Sequence, residues 1–161
     1  MADQTEREKA QSSIAENRKA FHDFHLYESF EAGIVLLGTE VKAIREGRVN
    51  LRDSFARVEN GEVYLYNVNI SPYSHRGYAT HEALRRRKLL LNRDEIRKLV
   101  GKTVEKGMTL VPVRMYFKNG RVKVAVSLAK GKKEYDKRDT EKVRDSDREI
   151  QRAIRNKGKE D

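Results

Sequence analysis

Four histidines are the side chains best suited to proton transfer near neutral pH, and they fall in two pairs, His22 with His25 and His75 with His81. His75, His81 and Glu82 have the chemistry of a small ribonuclease, since phosphodiester cleavage needs a proton acceptor and a donor flanking one phosphate. Yet they lie in SPYSHRGYATHEALRRRK, residues 71–88, a polar and aperiodic stretch that reads as a long exposed loop with nothing to fix their geometry. His22 and His25 are spaced i, i+3, but a chain without cysteine would need carboxylates to complete a structural zinc shell. Solvated surface histidines are the better account, so no metal and no cofactor is expected. Gly131-Lys132-Lys133 lacks the flanking pattern of a Walker phosphate loop, and no nucleophile elbow occurs. The residues read as those of a non-enzyme.

Cations beside planar side chains give the stronger signal. Tyr73, His75, Arg76, Tyr78 and His81 precede Arg85-Arg86-Arg87-Lys88, a composition suited to stacking on unpaired bases and neutralising phosphates. A second basic strip is expected near the C-terminal end, where alternation sends Val111, Val113, Met115 and Phe117 one way and Arg114 and Lys118 the other, joined by Arg121 and Lys123. The 161 residues carry a net charge of +10, which points to a polyanionic partner through counterion release. Charge alone leaves RNA, DNA and an anionic membrane open. Absence of cysteine suits a reducing, cytoplasmic setting. The N-terminus has no apolar signal-peptide core, and no stretch approaches the ~18 apolar residues of a membrane span, so no membrane partner is expected.

The elements that must position these groups follow from local pattern. Residues 1–12 are polar and read as disordered. Ser13-Ile14-Ala15-Glu16 resembles a capping box for a short helix through Ala20. FHDFHLYESFEAGIVLLG reads as strand broken near Glu31-Ala32-Gly33, and Gly38–Gly47 as a short amphipathic helix with Val41 and Ile44 on one face. Asn60-Gly61 and Asn119-Gly120 each sit between alternating runs, the strongest short-range hairpin signal. Between them Asn92 and Glu95 open a helix that Gly101 should end. Five or six antiparallel strands with so lean an apolar supply are best closed into a small barrel, of which the OB (oligonucleotide-binding) fold is one kind. The expected fold is therefore mainly β: a closed antiparallel OB-like barrel over residues 13–130 with two or three short helices, and a basic tail over 131–161.

On a helical wheel the tail shows a thin apolar seam, Val143, Ile150 and Ile154, within about 40°. Lys137, Arg144, Arg148, Arg152 and Arg155 share a neighbouring stripe about 80° wide. Acid–base pairs at i, i+3 such as Asp145–Arg148 add only about 0.2–0.5 kcal/mol each. Such a tail is expected to be disordered when free and helical against a polyanion. An ordinary solvated charged terminus is its rival.

IAENRKAFHDF, SFEAGIVLLGTEVKAIREGRVNLRDSF, NGEVYLYNVNISPY, RKLLLN, TLVPVRMYFKNGRVKV and AKGKKEYDKR occur in that order. This set resembles the SmpB family of SsrA-binding (tmRNA-binding) proteins across about residues 14–145. The resemblance implies an OB-type barrel that binds the tRNA-like end of tmRNA, and a tail that enters the decoding centre and empty mRNA channel of a stalled ribosome. It further implies small-subunit rRNA and a translation elongation factor as partners on the ribosome, a monomeric adaptor, and trans-translation as the process. Two rivals stay open: a generic single-strand nucleic-acid-binding barrel, and the small ribonuclease.

The family's RNA-contacting positions carry over to Glu31, Leu90, Asn92 and Lys123, and to Lys132 and Lys133 at the barrel exit. They carry over in the tail to Tyr135, Asp136, Lys137 and Arg138. Each has a structural rival, Asn92 as a cap and Leu90 as core. Phe24 stands where the family often has tyrosine, so stacking survives without a hydroxyl. Ser146 occupies a place that often holds tryptophan, leaving Ile150 and Ile154 to supply any apolar anchor.

Overall fold

Both Asn-Gly dipeptides turn the chain as their chemistry requires. Asn60 and Gly61 have φ of 50° and 75°, and Asn119 and Gly120 of 51° and 73°, the pair of positive values that a tight hairpin matched to strand twist demands. The computed structural model describes residues 11–72 and 81–157. In chain order these are β1 (Gln11–Glu16), α1 (Arg18–Asp23), β2 (Phe24–Ile34), α2 (Gly38–Arg45), β3 (Val49–Asn50), β4 (Phe55–Glu59), β5 (Glu62–Tyr66), β6 (Asn69–Ile70) and β7 (Arg87–Leu90). There follow α3 (Arg93–Glu105), β8 (Thr109–Lys118), β9 (Arg121–Gly131) and α4 (Glu134–Lys157).

Seven strands form one antiparallel sheet in the order β1-β8-β4-β5-β7-β2-β9, and β8 pairs again with β9. Six strands thereby form a ring, with β1 laid beside the far end of β8, and β3–β6 make a separate small pair. The protein is mainly β with several short helices. Inside the ring lie Ala32, Leu65, Leu89, Leu110, Met115, Val124, Val126 and Leu128, joined by Ile44 of α2 and Leu99 of α3. A second, smaller cluster joins Ala20 of α1 to Val111 and Ala129 on the outside of the ring.

Several local readings give way to long-range pairing. Ser13–Glu16 are strand, paired with β8 from Gln11 onward; the helix starts later, with Asn17 as its N-cap, its side chain accepting from the Ala20 amide at 3.2 Å and donating to the Pro112 carbonyl at 2.8 Å. β2 does not break at Glu31–Gly33, and its irregularity against β9 lies between Leu26 and Ser29. Gly101 falls inside α3, which runs to Glu105 with Lys106 as C-cap; Gly107, at φ 60°, makes the exit. A bulge between Pro112 and Arg114 reverses the parity of β8, so Val111 faces outward beneath α1 while Met115 and Phe117 face the core. β9 continues past Ala129 to Gly131 because Phe24 and His25 pair with Gly131 and Lys130. Residues 73–80 of the expected loop, including Tyr73, His75, Arg76 and Tyr78, lie outside the described residues.

Candidate nucleic-acid interface

One row of residues crosses five strands on the outside of the ring. Ser13 of β1 pairs with Tyr116 of β8, Tyr116 with Lys123 of β9, Lys123 with Gly33 of β2, and Gly33 with Leu90 of β7. Side chains alternate across a strand, so Glu31, two residues before Gly33, shares this face. Three sites expected from sequence thus meet: Glu31 as an exposed carboxylate, Leu90 as a half-exposed apolar group at 51%, and Lys123 as a partly buried cation. Gly33 is the hollow between them; a Cβ built there would lie 3.2 Å from Leu90 Cβ. Asn92 follows two residues beyond Leu90, exposed, at the N-cap of α3. Its side chain makes no capping bond; Nδ2 points to Glu95 Oε1 at 3.5 Å.

The other expected sites gather at the opposite end of β2. Phe24, its first residue, is half-buried against the Ala20–Val111–Ala129 cluster. The Lys132 amide donates to the Asp23 carbonyl at 2.8 Å, and Lys132 Nζ to the Phe21 carbonyl at 3.2 Å and to Thr140 Oγ1 at 2.9 Å. Lys132 is therefore a clamp between α1 and α4, while Lys133 stays exposed. His22 bridges Asp23 and Glu141, both at 2.8 Å, His25 meets Asp136 at 3.3 Å, and Lys137 lies 3.7 Å from Asp23. Hydrogen bonds that His22 donates to Asp23 and Glu141 raise its pKa, and the His25 bond lowers that of Asp136 against the cost of desolvation.

Beyond Glu141 the described side chains of α4 are exposed to solvent. Arg138, Arg144, Arg148, Arg152 and Arg155 are exposed, as is the seam of Val143 at 62%, Ile150 at 58% and Ile154 at 67%. The backbone of Tyr135 belongs to α4, and its side chain lies outside what the structure describes.

The chain matches the SmpB protein family over residues 14–156. The chain belongs to the SmpB family. It is 61% identical to the SsrA-binding protein of Carboxydothermus hydrogenoformans over 142 residues, 88% of this chain and 95% of that one. It is 58% identical to the SsrA-binding protein of Geobacillus kaustophilus over 146 residues, 91% and 94% of the two chains. A chain from the solved structure described as "tmRNA-SmpB: a journey to the center of the bacterial ribosome" superposes with a TM-score of 0.63 at 51% identity, over 74% of this chain and 85% of that one. SmpB proteins are RNA-binding adaptors and not enzymes, and this chain is one of them.

Two expectations about the residues before and within β7 are corrected by the packing of this SmpB chain. The run Arg85–Lys88, expected as a free cationic patch, is largely consumed inside the protein. Arg87 is wholly buried and pairs with Glu40, Arg85 joins the same carboxylate at 2.5 Å, Arg86 reaches Glu59 at 3.1 Å and Lys88 reaches Glu62 at 3.2 Å. The sequence hint was Glu40, an acid on the buried side of a short helix, which needs cationic partners. His81, the other candidate acid or base, is buried with both ring nitrogens engaged, Nε2 donating to the Ile70 carbonyl at 2.8 Å and Nδ1 accepting from Thr39 Oγ1 at 3.0 Å. That histidine anchors α2 against β6. Lys118, expected on the outward basic strip, completes this face around Glu31, and Tyr116, which lies between Arg114 and Lys118 on the same side of β8, was missed as a site residue.

Proposed function

We propose that this chain binds the tRNA-like domain of tmRNA and delivers it to stalled ribosomes for trans-translation, working in the cytoplasm as a monomer alongside a translation elongation factor. The observation that carries the reading is the family match over residues 14–156, which takes in both the ring of strands and the tail helix. Relatives are named SsrA-binding proteins, and the similar solved chain comes from a tmRNA–SmpB ribosome structure. The ring is taken as the OB-like barrel. Its outer face at Glu31, Leu90, Asn92 and Lys123 supplies an acceptor, an apolar platform and a phosphate cation to folded RNA. Phe24, Lys132 and Lys133 support the RNA and the tail at the barrel exit.

The tail enters the decoding centre and mRNA channel, with Tyr135 stacking beside bases and Asp136, Lys137 and Arg138 at the entrance. Arg144, Arg148, Arg152 and Arg155 face rRNA phosphates. Past Thr140 the helix has no apolar partner within the described residues, so its full folding belongs to the ribosome-bound state. Sequencing the RNA that co-purifies with the tagged protein tests this. One dominant structured RNA is expected; a broad mixture of RNAs would replace the adaptor with a generic single-strand binder.

A further inference from the structure

Glu31 projects from β2 with its carboxylate already gripped by two donors from β8. The Tyr116 hydroxyl donates to Oε2 at 2.5 Å, and Lys118 Nζ lies 3.1 Å from Oε1 and 3.2 Å from Oε2. Tyr116 is itself pinned, 4% exposed, with the Arg114 guanidinium 4.7 Å over its ring. From β9 the Lys123 ammonium adds its charge. From β7 comes uncharged Leu90 beside Gly33, while Lys88 further along is paired with Glu62. Among the described residues, the groups that bond to Glu31 or add charge beside it are Tyr116, Lys118 and Lys123, each a donor or a cation. A carboxylate has about four lone-pair positions. Tyr116 takes one and Lys118 shares two, so capacity remains on the 38% of the side chain open to solvent. An ionised carboxylate accepts only, so what completes it must donate.

We infer that Tyr116 and Lys118 are positioning residues that hold Glu31 as a fixed, ionised acceptor for a single nucleotide donor, a ribose 2′-hydroxyl or a base N–H. The inference rests on reading this face as the RNA interface. A loose carboxylate would repel the phosphates that Lys123 attracts; one held in place by two donors instead selects a hydroxyl or N–H between them. Ionisation follows from the same contacts. The Tyr116 hydrogen bond leads in lowering the Glu31 pKa below 4.5, with Lys118 and Lys123 assisting against desolvation. Burial and Glu31 together raise the Tyr116 pKa, so its hydroxyl keeps its proton and remains a donor.

Fluorescence anisotropy of the full-length protein with a labelled tRNA-like RNA, from acid to neutral pH, tests this. Tyr116→Phe removes only the hydroxyl. Its affinity is expected to fall by about tenfold at neutral pH. Its loss of binding on acidification should begin at higher pH, because the Glu31 pKa relaxes upward; a merely structural change would not move that profile. Lys118→Met should shift both readouts the same way and serves if Tyr116→Phe lowers the melting temperature. Single 2′-deoxy and guanosine-to-inosine substitutions in the RNA separate the two donors: the penalty that disappears in Glu31→Gln identifies ribose or base. If neither substitution couples to Glu31, or if Tyr116→Phe and Lys118→Met match wild type in affinity and pH profile while Glu31→Gln is weakened, the positioning inference is overturned and the interface stands. If Glu31→Gln, Leu90→Ala and Lys123→Ala all bind normally, the interface reading itself fails.

Discussion

Glu40 has no solvent exposure, and its carboxylate takes Arg85 at 2.5 Å, Arg87, and the Leu37 amide at 2.9 Å. Arg87, equally buried, donates onward to the Val68 carbonyl at 2.7 Å and the Ala83 carbonyl at 3.1 Å, tying α2, β7 and the chain before it together. Removing one partner strands a buried charge, so Glu40→Gln or Arg87→Met should cost about 3–5 kcal/mol in urea unfolding. Arg86→Ala, whose side chain is 51% exposed, should cost less than about 1 kcal/mol. Burial alone would raise the Glu40 pKa, but Arg85, the Leu37 amide and Arg87 together hold it below 4.5. Its stabilisation is complete above the unfolded value and is lost as pH falls through the lowered folded value, so Glu40→Gln should flatten the acid limb of the stability curve. Asn92→Ala is expected to change stability by less than about 0.5 kcal/mol, because the side chain makes no capping bond, and to weaken RNA binding. Destabilisation with intact RNA affinity would reverse both statements.

At the scale of elements, α1 and the first two turns of α4 form a latch. Its contacts are His22 with Asp23 and Glu141, His25 with Asp136, Lys137 with Asp23, and Lys132 with Thr140. The His22 pKa is raised above 6.5, chiefly by Asp23 and then by Glu141. Its contribution to docking is full below that value and is lost as pH rises through the raised one. Amides of residues 138–141 should exchange more slowly at about pH 6 than at about pH 8 after correction for intrinsic rates. In His22→Ala that pH difference should vanish. Beyond Glu141 no protection is expected at either pH, since Val143, Ile150 and Ile154 are largely exposed.

The whole molecule divides its work between ring and tail. β9 ends at Gly131 and the Lys132 amide still bonds to Asp23, so a truncation that spares the ring must follow Lys133. Such a protein is expected to bind tRNA-like RNA as the full chain does, yet to fail in peptide tagging on stalled ribosomes. Tagging by the truncated protein would remove the tail from the mechanism. Within the tail, reversing Arg148 and Arg152 together should impair tagging more than reversing Asp145 and Glu149, which lie off the arginine stripe. Equal damage would mean that the stripe carries no directional information.

Features set by a few neighbouring residues were legible without the fold. Asn60-Gly61 and Asn119-Gly120 specify their hairpins because asparagine and glycine tolerate positive φ. Helix α2 follows from its short amphipathic run, though of the expected pair Ile44 is buried and Val41 only partly so, and the start of α3 at Asn92 follows from the local chain. The family was legible too, through ordered blocks that reach from Ile14 into the tail. Tertiary structure decided the rest. Ser13–Glu16 could cap a helix in isolation, but pairing with β8 satisfies more backbone donors and acceptors than one capping box can. Arg85 through Lys88 look alike in sequence, and only the closing of the ring beside Glu40 selects Arg87 for full burial. The bulge at Pro112–Arg114 turns Val111 outward beneath α1, and the pairing of β2 and β8 on either side of β9 brings Tyr116 beside Glu31. Dihedral preference acts over two or three residues, whereas desolvation and strand pairing depend on partners 47 or 85 positions away.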